Sequence, residues 1–247
     1  MKVIDKSKIK AIFFDLDDTL YDRSQYELEA YNYIDQSLYN KYGINKKKIY
    51  KNLIKIKDIY EYNYRNLFAS TSNLVCIPEK NKKNFVKDCL KYYRKFKPSR
   101  LKLYPGTISV LNKLKKSNYF VGIITNGNVN KQRIKIKTLR LKKYIRFIIY
   151  ARNFGKKNEK PSSYSFKYVL KKLKIKSEEM IYIGDNPKID YTASVRAKIN
   201  FLRIKKGEYK SIKYNEKKIK FIKNLREIFK FIWKKYFYIK IKILKDL

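Results

Sequence analysis

The chain has 247 residues, 44% of them hydrophobic, enough for one large domain or a domain with an inserted module around a substantial core. Its 62 lysines and arginines against 21 acidic residues leave a formal charge of +41, and it contains no histidine. The missing histidine excludes Ser-His-Asp and Cys-His nucleophile systems and histidine-held metals, so catalysis must rest on carboxylates, lysine, hydroxyls or a hard cation.

The first residues, Met1-Lys2-Val3-Ile4-Asp5-Lys6-Ser7-Lys8, have no apolar h-region and do not read as a signal peptide. No stretch reaches the roughly 18 to 20 continuous apolar residues of a membrane span. Cys76 and Cys89 make no metal or disulfide framework and are expected as packed or free thiols of a cytoplasmic protein. The positive charge is mostly lysine, spread along the whole chain among abundant Ile, Asn and Tyr. A nucleic-acid reader concentrates charge on one face and favours Arg for base contacts. Diffuse lysine points instead to a compositional bias toward A/T-rich codons, so no specific nucleic-acid partner is expected, only nonspecific electrostatic binding.

An apolar run from about Lys10 to Phe14 predicts the first strand, and it ends in Asp15-Leu16-Asp17-Asp18-Thr19. Carboxylates crowded at the end of a buried strand are costly unless a cation holds them there. Residues 21 to 99 then show helical patterns over Tyr26–Tyr42, Lys46–Arg65 and Asn81–Phe96 with no buried strand, an all-helical insertion. It returns through Pro98 and Pro105-Gly106 to a helix between Thr107 and Lys116, with Ile108, Leu111 and Leu114 on one face.

Strands follow at Phe120–Ile124, Phe147–Tyr150, Met180–Ile183 and Asn200–Ile204, with Phe166, Val169, Leu170 and Leu173 marking a helix between the third and fourth strands. Alternation of this kind predicts an α/β fold, a parallel sheet covered by helices. After a lysine-rich connection, Leu225, Ile228, Phe229 and Ile232 have helical spacing. Trp233 to Leu244 continues as a basic aromatic stretch, either a docked terminal helix or a peripheral contact for anionic lipid.

Each strand end delivers polar groups. The second ends in Thr125-Asn126-Gly127, and the fourth in Gly184-Asp185-Asn186 with Asp190 just beyond. Lys160-Pro161 precedes the helix that feeds the fourth strand. The carboxyl ends of parallel strands share one crevice, so these groups should converge. Alternatives stand beside several of them. Thr125 could cap the following helix, Lys156 and Lys157 compete with Lys160, and Asp190 could be an N-terminal helix charge.

Taken in order, these segments resemble the four sequence motifs of the haloacid dehalogenase superfamily of hydrolases. Asp15-Leu16-Asp17-Asp18-Thr19 is similar to motif one, Thr125 to motif two, Lys160 to motif three, and Gly184-Asp185 with Asp190 to motif four. Leu103-Tyr104-Pro105-Gly106 and Lys160-Pro161 with Phe166 are typical of the subfamily with a helical C1-type cap. The resemblance runs from Ile9 to about Ile204.

It implies a Rossmann-like catalytic core from residues 1–20 and 100–232, a helical cap at 21–99, and a basic aromatic extension at 233–247. It also implies a Mg²⁺-dependent phosphomonoester hydrolase. Asp15 would be the nucleophile and form an aspartyl-phosphate; Asp17 would protonate the leaving alkoxide and then deprotonate water. Thr125 and Asn126 would hold phosphoryl oxygens, and Lys160 would balance the charge on Asp15 and phosphate. The metal ligands would be Asp15, the Asp17 carbonyl and Asp185, with Asp190 acting through water or by orienting the others. No chemistry falls to Asp18.

An acid at position 17 favours phosphoester cleavage over dehalogenation, which needs no proton donor there. The implied partner is a small phosphorylated metabolite such as a sugar phosphate, acyl-sugar phosphate or nucleotide, with the cap closing over the site. A phosphomutase and a noncatalytic basic binding module are the alternatives. One departure stands out, since the family often has Ala-Gly after motif four where this chain has Ala197-Lys198.

Overall fold

The computed structural model describes residues 4–60, 64–215 and 217–232, so the basic aromatic stretch from Trp233 onward lies outside the described residues. Two compact units result, one formed by the chain up to Asp22 and from Lys102 onward, the other by Arg23–Leu101.

The helical unit contains α1 (Ser24–Leu38), α2 (Lys48–Tyr60), α3 (Tyr64–Leu74) and α4 (Glu79–Lys95). Its core is aromatic. Helix α1 buries Tyr26, Ala30, Tyr31, Ile34 and Leu38, while α4 buries Phe85, Cys89 and Tyr93 at four-residue spacing. The Tyr93 ring lies 4.4 Å from that of Tyr64, and Tyr26 meets Phe96 edge-on at 5.2 Å.

Buried Asp35 fastens the start of α2 by accepting from the amides of Lys47 (2.9 Å) and Tyr50 (3.1 Å). The span expected as one helix over Lys46–Arg65 is described as α2, Lys48–Tyr60, and the start of α3, Tyr64–Leu74, with residues 61–63 outside the described residues. Helix α3 was hidden because it buries polar residues. The hydroxyls of Thr71 and Ser72 bond back to the carbonyls of Leu67 (2.8 Å) and Ala69 (2.6 Å), which lets them share the buried face with Leu67 and Phe68 and shortens the apolar period.

The other unit is an α/β layer structure. Strands β1 (Ala11–Phe14), β2 (Phe120–Thr125), β3 (Phe147–Tyr150), β4 (Met180–Gly184), β5 (Asn200–Ile204) and β6 (Lys220–Ile222) form one parallel sheet in the order β3-β2-β1-β4-β5-β6. β1 is central, with Ala11 in register with both Phe120 and Met180. All four of its residues are buried, as a strand covered on both faces requires. Phe13 fills the space above Gly122, where an added Cβ would lie only 2.0 Å from its ring.

Helices α5 (Thr107–Lys116), α6 (Val129–Thr138), α7 (Tyr164–Leu173), α8 (Thr192–Arg196) and α9 (Phe229–Ile232) complete the unit. On α5 it is Val110 that packs with Leu111 and Leu114, and Ile108 is exposed. The sequence reading missed α6, which has almost no apolar face, and β6, a three-residue edge strand. Tyr21 and Asp22 belong with the sheet rather than with the helical insertion, since Tyr21 bridges Asp17 and Leu103. Fully buried Arg203 on β5 donates to the carbonyls of Tyr209 (2.5 Å) and Ile212 (2.8 Å), tying down the lysine-rich segment that follows. No described helix is long and apolar enough to cross a membrane.

Candidate active site

Asp15 is the first residue beyond β1, and its amide donates to the Ile183 carbonyl on β4 at 2.8 Å, so the strand pairing fixes its place. Lys160 comes from the segment before α7 and is buried. Its ammonium donates at 2.7 Å each to Asp15 Oδ1, Asp190 Oδ1 and the Tyr182 hydroxyl, which itself donates to the Ile124 carbonyl. A buried ammonium survives only with such a full set of acceptors. Burial acts to lower its pKa, but the charges of Asp15 and Asp190 win and raise it, so Lys160 is cationic.

Asp190 sits in the Pro187–Tyr191 turn after β4, and its second oxygen accepts from the Asn186 amide at 3.1 Å. Close approach of that carboxylate explains Gly184. A Cβ there would lie 2.2 Å from Asp190 Oδ2. One carboxylate oxygen from each of Asp15, Asp185 and Asp190 falls within 4.8 Å of the others, all three buried. Asp185 also accepts from the Thr19 hydroxyl, at 3.4 Å.

Crowding has an electrostatic cost. Burial pushes the Asp15 carboxyl up; Lys160 opposes this, Asp190 and Asp17 add to it, and the group stands raised to about 7. Burial and the charges of Asp190, Asp15 and Asp18 hold Asp185 well above the usual carboxylate range. Three hard oxygen donors that repel one another in a buried site fit a divalent cation, which would remove the repulsion.

The Asp17 carboxylate is placed elsewhere. It lies outside the three-carboxylate cluster and is gripped by α6 and Tyr21. Oδ1 accepts from Lys135 Nζ at 2.6 Å and from the Tyr21 hydroxyl at 2.5 Å, and Oδ2 from Gln132 Nε2 at 2.8 Å. Burial acts to raise its pKa, but the Lys135 charge and the hydrogen bonds of Gln132, Lys135 and Tyr21 outweigh it and hold the group at about 2. Of the expected metal ligands, Asp17 therefore has only its carbonyl left for that role.

Thr125 ends β2, and its hydroxyl accepts from Gln132 Nε2 at 2.8 Å. It does not cap the next helix. Asn128 does, through a 3.1 Å bond from the Lys131 amide. The Asn126 side chain is spent on the backbone of Lys160, donating to its carbonyl (2.8 Å) and accepting from its amide (2.9 Å). Lys156 and Lys157 lie outside this polar network and line an open cavity of about 520 Å³ with Ser162 and Arg196. Gln132, Lys135 and Tyr182 escaped the sequence reading. The only signal was the combination of Gln and Lys three residues apart on one helix face after motif two.

A model of the haloacid dehalogenase-like hydrolase family matches residues 12–204. The glyceraldehyde 3-phosphate phosphatase of Methanocaldococcus jannaschii is 30% identical over 221 residues, 89% of this chain and 95% of the relative. The glyceraldehyde 3-phosphate phosphatase of Pyrococcus furiosus is 32% identical over 203 residues, 82% and 83% of the two chains. Among solved structures, the HAD-hydrolase YfnB of Bacillus subtilis, bound to magnesium, has the same fold. Its TM-score is 0.62 at 18% identity, covering 90% of this chain and 97% of that one.

Proposed function

This chain belongs to the haloacid dehalogenase-like hydrolase family as an enzyme of the phosphatase kind, and on that premise we propose that it hydrolyses small phosphorylated metabolites through an aspartyl-phosphate. The observation that carries the reading is the grip of Lys160 on Asp15 beside the Asp185 and Asp190 carboxylates. That arrangement holds a buried oxygen nucleophile next to a fixed cation and an oxygen-lined place for a second one.

In the first step an Asp15 oxygen attacks phosphorus, the bond from phosphorus to the ester oxygen breaks, and the leaving alkoxide takes a proton from Asp17. In the second, water attacks the phosphorus of the aspartyl-phosphate and Asp17 takes its proton. Inorganic phosphate and the Asp15 carboxylate are released. Asp17 is ionised in the resting site, so it takes its first proton from solvent water, once a phosphate dianion beside it raises its proton affinity, and its later protons from the water that attacks phosphorus. Thr125 and the Asn126 amide bind phosphoryl oxygens, while Lys160 offsets the charge that gathers on Asp15 and phosphate.

Asp15, the Asp17 carbonyl, Asp185 and Asp190 would hold Mg²⁺, which supplies charge neutralisation between nucleophile and phosphoryl group. The magnesium of the B. subtilis neighbour supports this choice. Relatives named for glyceraldehyde 3-phosphate favour a short sugar phosphate as substrate. The free thiols Cys76 and Cys89 suit a reducing cytoplasm. We read the lysine excess as compositional, giving nucleic acid no specific place.

The test is a panel of phosphate esters, glyceraldehyde 3-phosphate included, assayed with Mg²⁺ and without it, using wild type and Asp15→Asn. Phosphate release by the wild type, lost in EDTA and in Asp15→Asn, is the expected result. More than trace turnover by Asp15→Asn, free of host phosphatases, overturns the nucleophile. Phosphoryl transfer to a second substrate site in place of phosphate release would make the enzyme a mutase.

A further inference from the structure

We propose that Gln132 and Lys135 of α6 are positioning residues that fix the Asp17 carboxylate and set it in register with the phosphoryl-binding hydroxyl of Thr125. The proposal rests on the phosphatase reading above. Burying a lysine is costly, and 7% exposed Lys135 is buried on a helix that has almost no apolar face to bury. What that helix delivers to the protein interior is polar: Gln132 and Lys135, three residues apart and so on one side of α6.

The two residues divide the carboxylate between them. Lys135 holds Oδ1 at 2.6 Å and Gln132 holds Oδ2 at 2.8 Å, with Tyr21 as a further donor to Oδ1. Donors on both oxygens fix the plane of the group as well as its place. The same Gln132 Nε2 lies 2.8 Å from Thr125 Oγ1 and 2.8 Å from the Asn126 carbonyl. One amide nitrogen thus touches both the proton-handling residue and the phosphate-binding loop. Asn128 caps the helix that carries it directly onto that loop.

A misplaced general acid matters only when the leaving group needs a proton. Phenyl phosphate and 4-nitrophenyl phosphate share the phosphoryl group and differ in this need, because nitrophenolate departs unaided. Lys135→Met and Gln132→Leu should lower kcat for phenyl phosphate by about 10- to 100-fold, within the usual reach of general acid catalysis, and by far less for the nitrophenyl ester. Lys135→Arg should recover much of the loss, since a cationic donor returns.

A second measurement needs no turnover. Removing one partner of a buried charge pair strands the other, so Lys135→Met should lower Tm by at least about 5 °C when Asp17 is present and by much less in an Asp17→Asn background. Equal losses with the two esters, failure of Lys135→Arg to recover activity, or additive melting shifts would overturn the proposal. Turnover by Asp15→Asn with the Asp17–Lys135 coupling intact would overturn the nucleophile assignment alone.

Discussion

The Asn126 side chain forms a closed ring of two hydrogen bonds with the backbone of Lys160, at 2.8 and 2.9 Å. This ties the loop after β2 to the segment before α7 and makes the position of the Lys160 ammonium depend on an amide in another loop. Glu159 strengthens the same seam, accepting from the Gly127 amide and pairing with Arg152 at 2.6 Å.

Asn126→Ala should therefore act on both stability and activity. It strands the Lys160 amide and carbonyl, a loss of about 1–3 kcal/mol, and lets Lys160 drift from Asp15. We expect kcat/KM for the best ester of the panel to fall about 10- to 100-fold, the scale on which groups that orient site residues act. Chemical denaturation and steady-state kinetics check the two effects, and wild-type values for both would refute the coupling.

Magnesium affinity should fall with acidity. Asp15 is raised to about 7 and Asp185 is raised as well, so lowering the pH protonates groups that must be ionised to bind the cation. Proton and Mg²⁺ compete, and the apparent affinity should drop by about tenfold per pH unit below about pH 7 for each proton the cation displaces. Calorimetric titration with Mg²⁺ between about pH 6 and 8 checks this. Affinity that does not change with pH would contradict the raised carboxyls.

Lys198 occupies a left-handed turn after α8 with φ of 58°, the place where the family often has glycine. A side chain there costs about 1–2 kcal/mol, partly offset because glycine gains freedom in the unfolded chain. Lys198→Gly should stabilise by about 0.5–1 kcal/mol, and Lys198→Val should destabilise. Melting curves at equal protein concentration decide it, and a lower Tm for the glycine variant would show that the lysine makes an offsetting contact.

Binding to nucleic acid should be weak, indifferent to sequence and lost as salt rises through the physiological range. Lysine spread over the chain neutralises phosphates without reading bases. Comparing unrelated duplexes at low and physiological salt tests this. A preference for one sequence that survives physiological salt would mean the charge has been organised for recognition.

The sheet and the motif residues were legible because they follow period and strand-end logic. The runs ending at Phe14, Ile183 and Ile204 are buried strands, and Asp15, Lys160, Asp185 and Asp190 meet as strand order requires. Helix α6 was not legible. Its buried face is Gln132, Lys135 and Ile136, and residues that are buried because they bond to a distant carboxylate leave no hydrophobic period. The partners of the Asp17 carboxylate were hidden for the same reason, since two of them, Gln132 and Lys135, come from that helix. At Lys198 the sequence did show the departure, and the positive φ is its physical form.

The central position of β1 has a consequence for how the protein is made. This strand, four apolar residues from Ala11 to Phe14, leaves the ribosome well before both of its neighbours. Until Phe120 and then Met180 have been synthesised, neither edge of β1 has its native partner. The helical segment from Arg23 to Leu101 emerges in the interval and can fold on local contacts, while β1 waits. During that wait the nascent chain exposes an aggregation-prone edge, and the high lysine content around it repels other copies of the same chain.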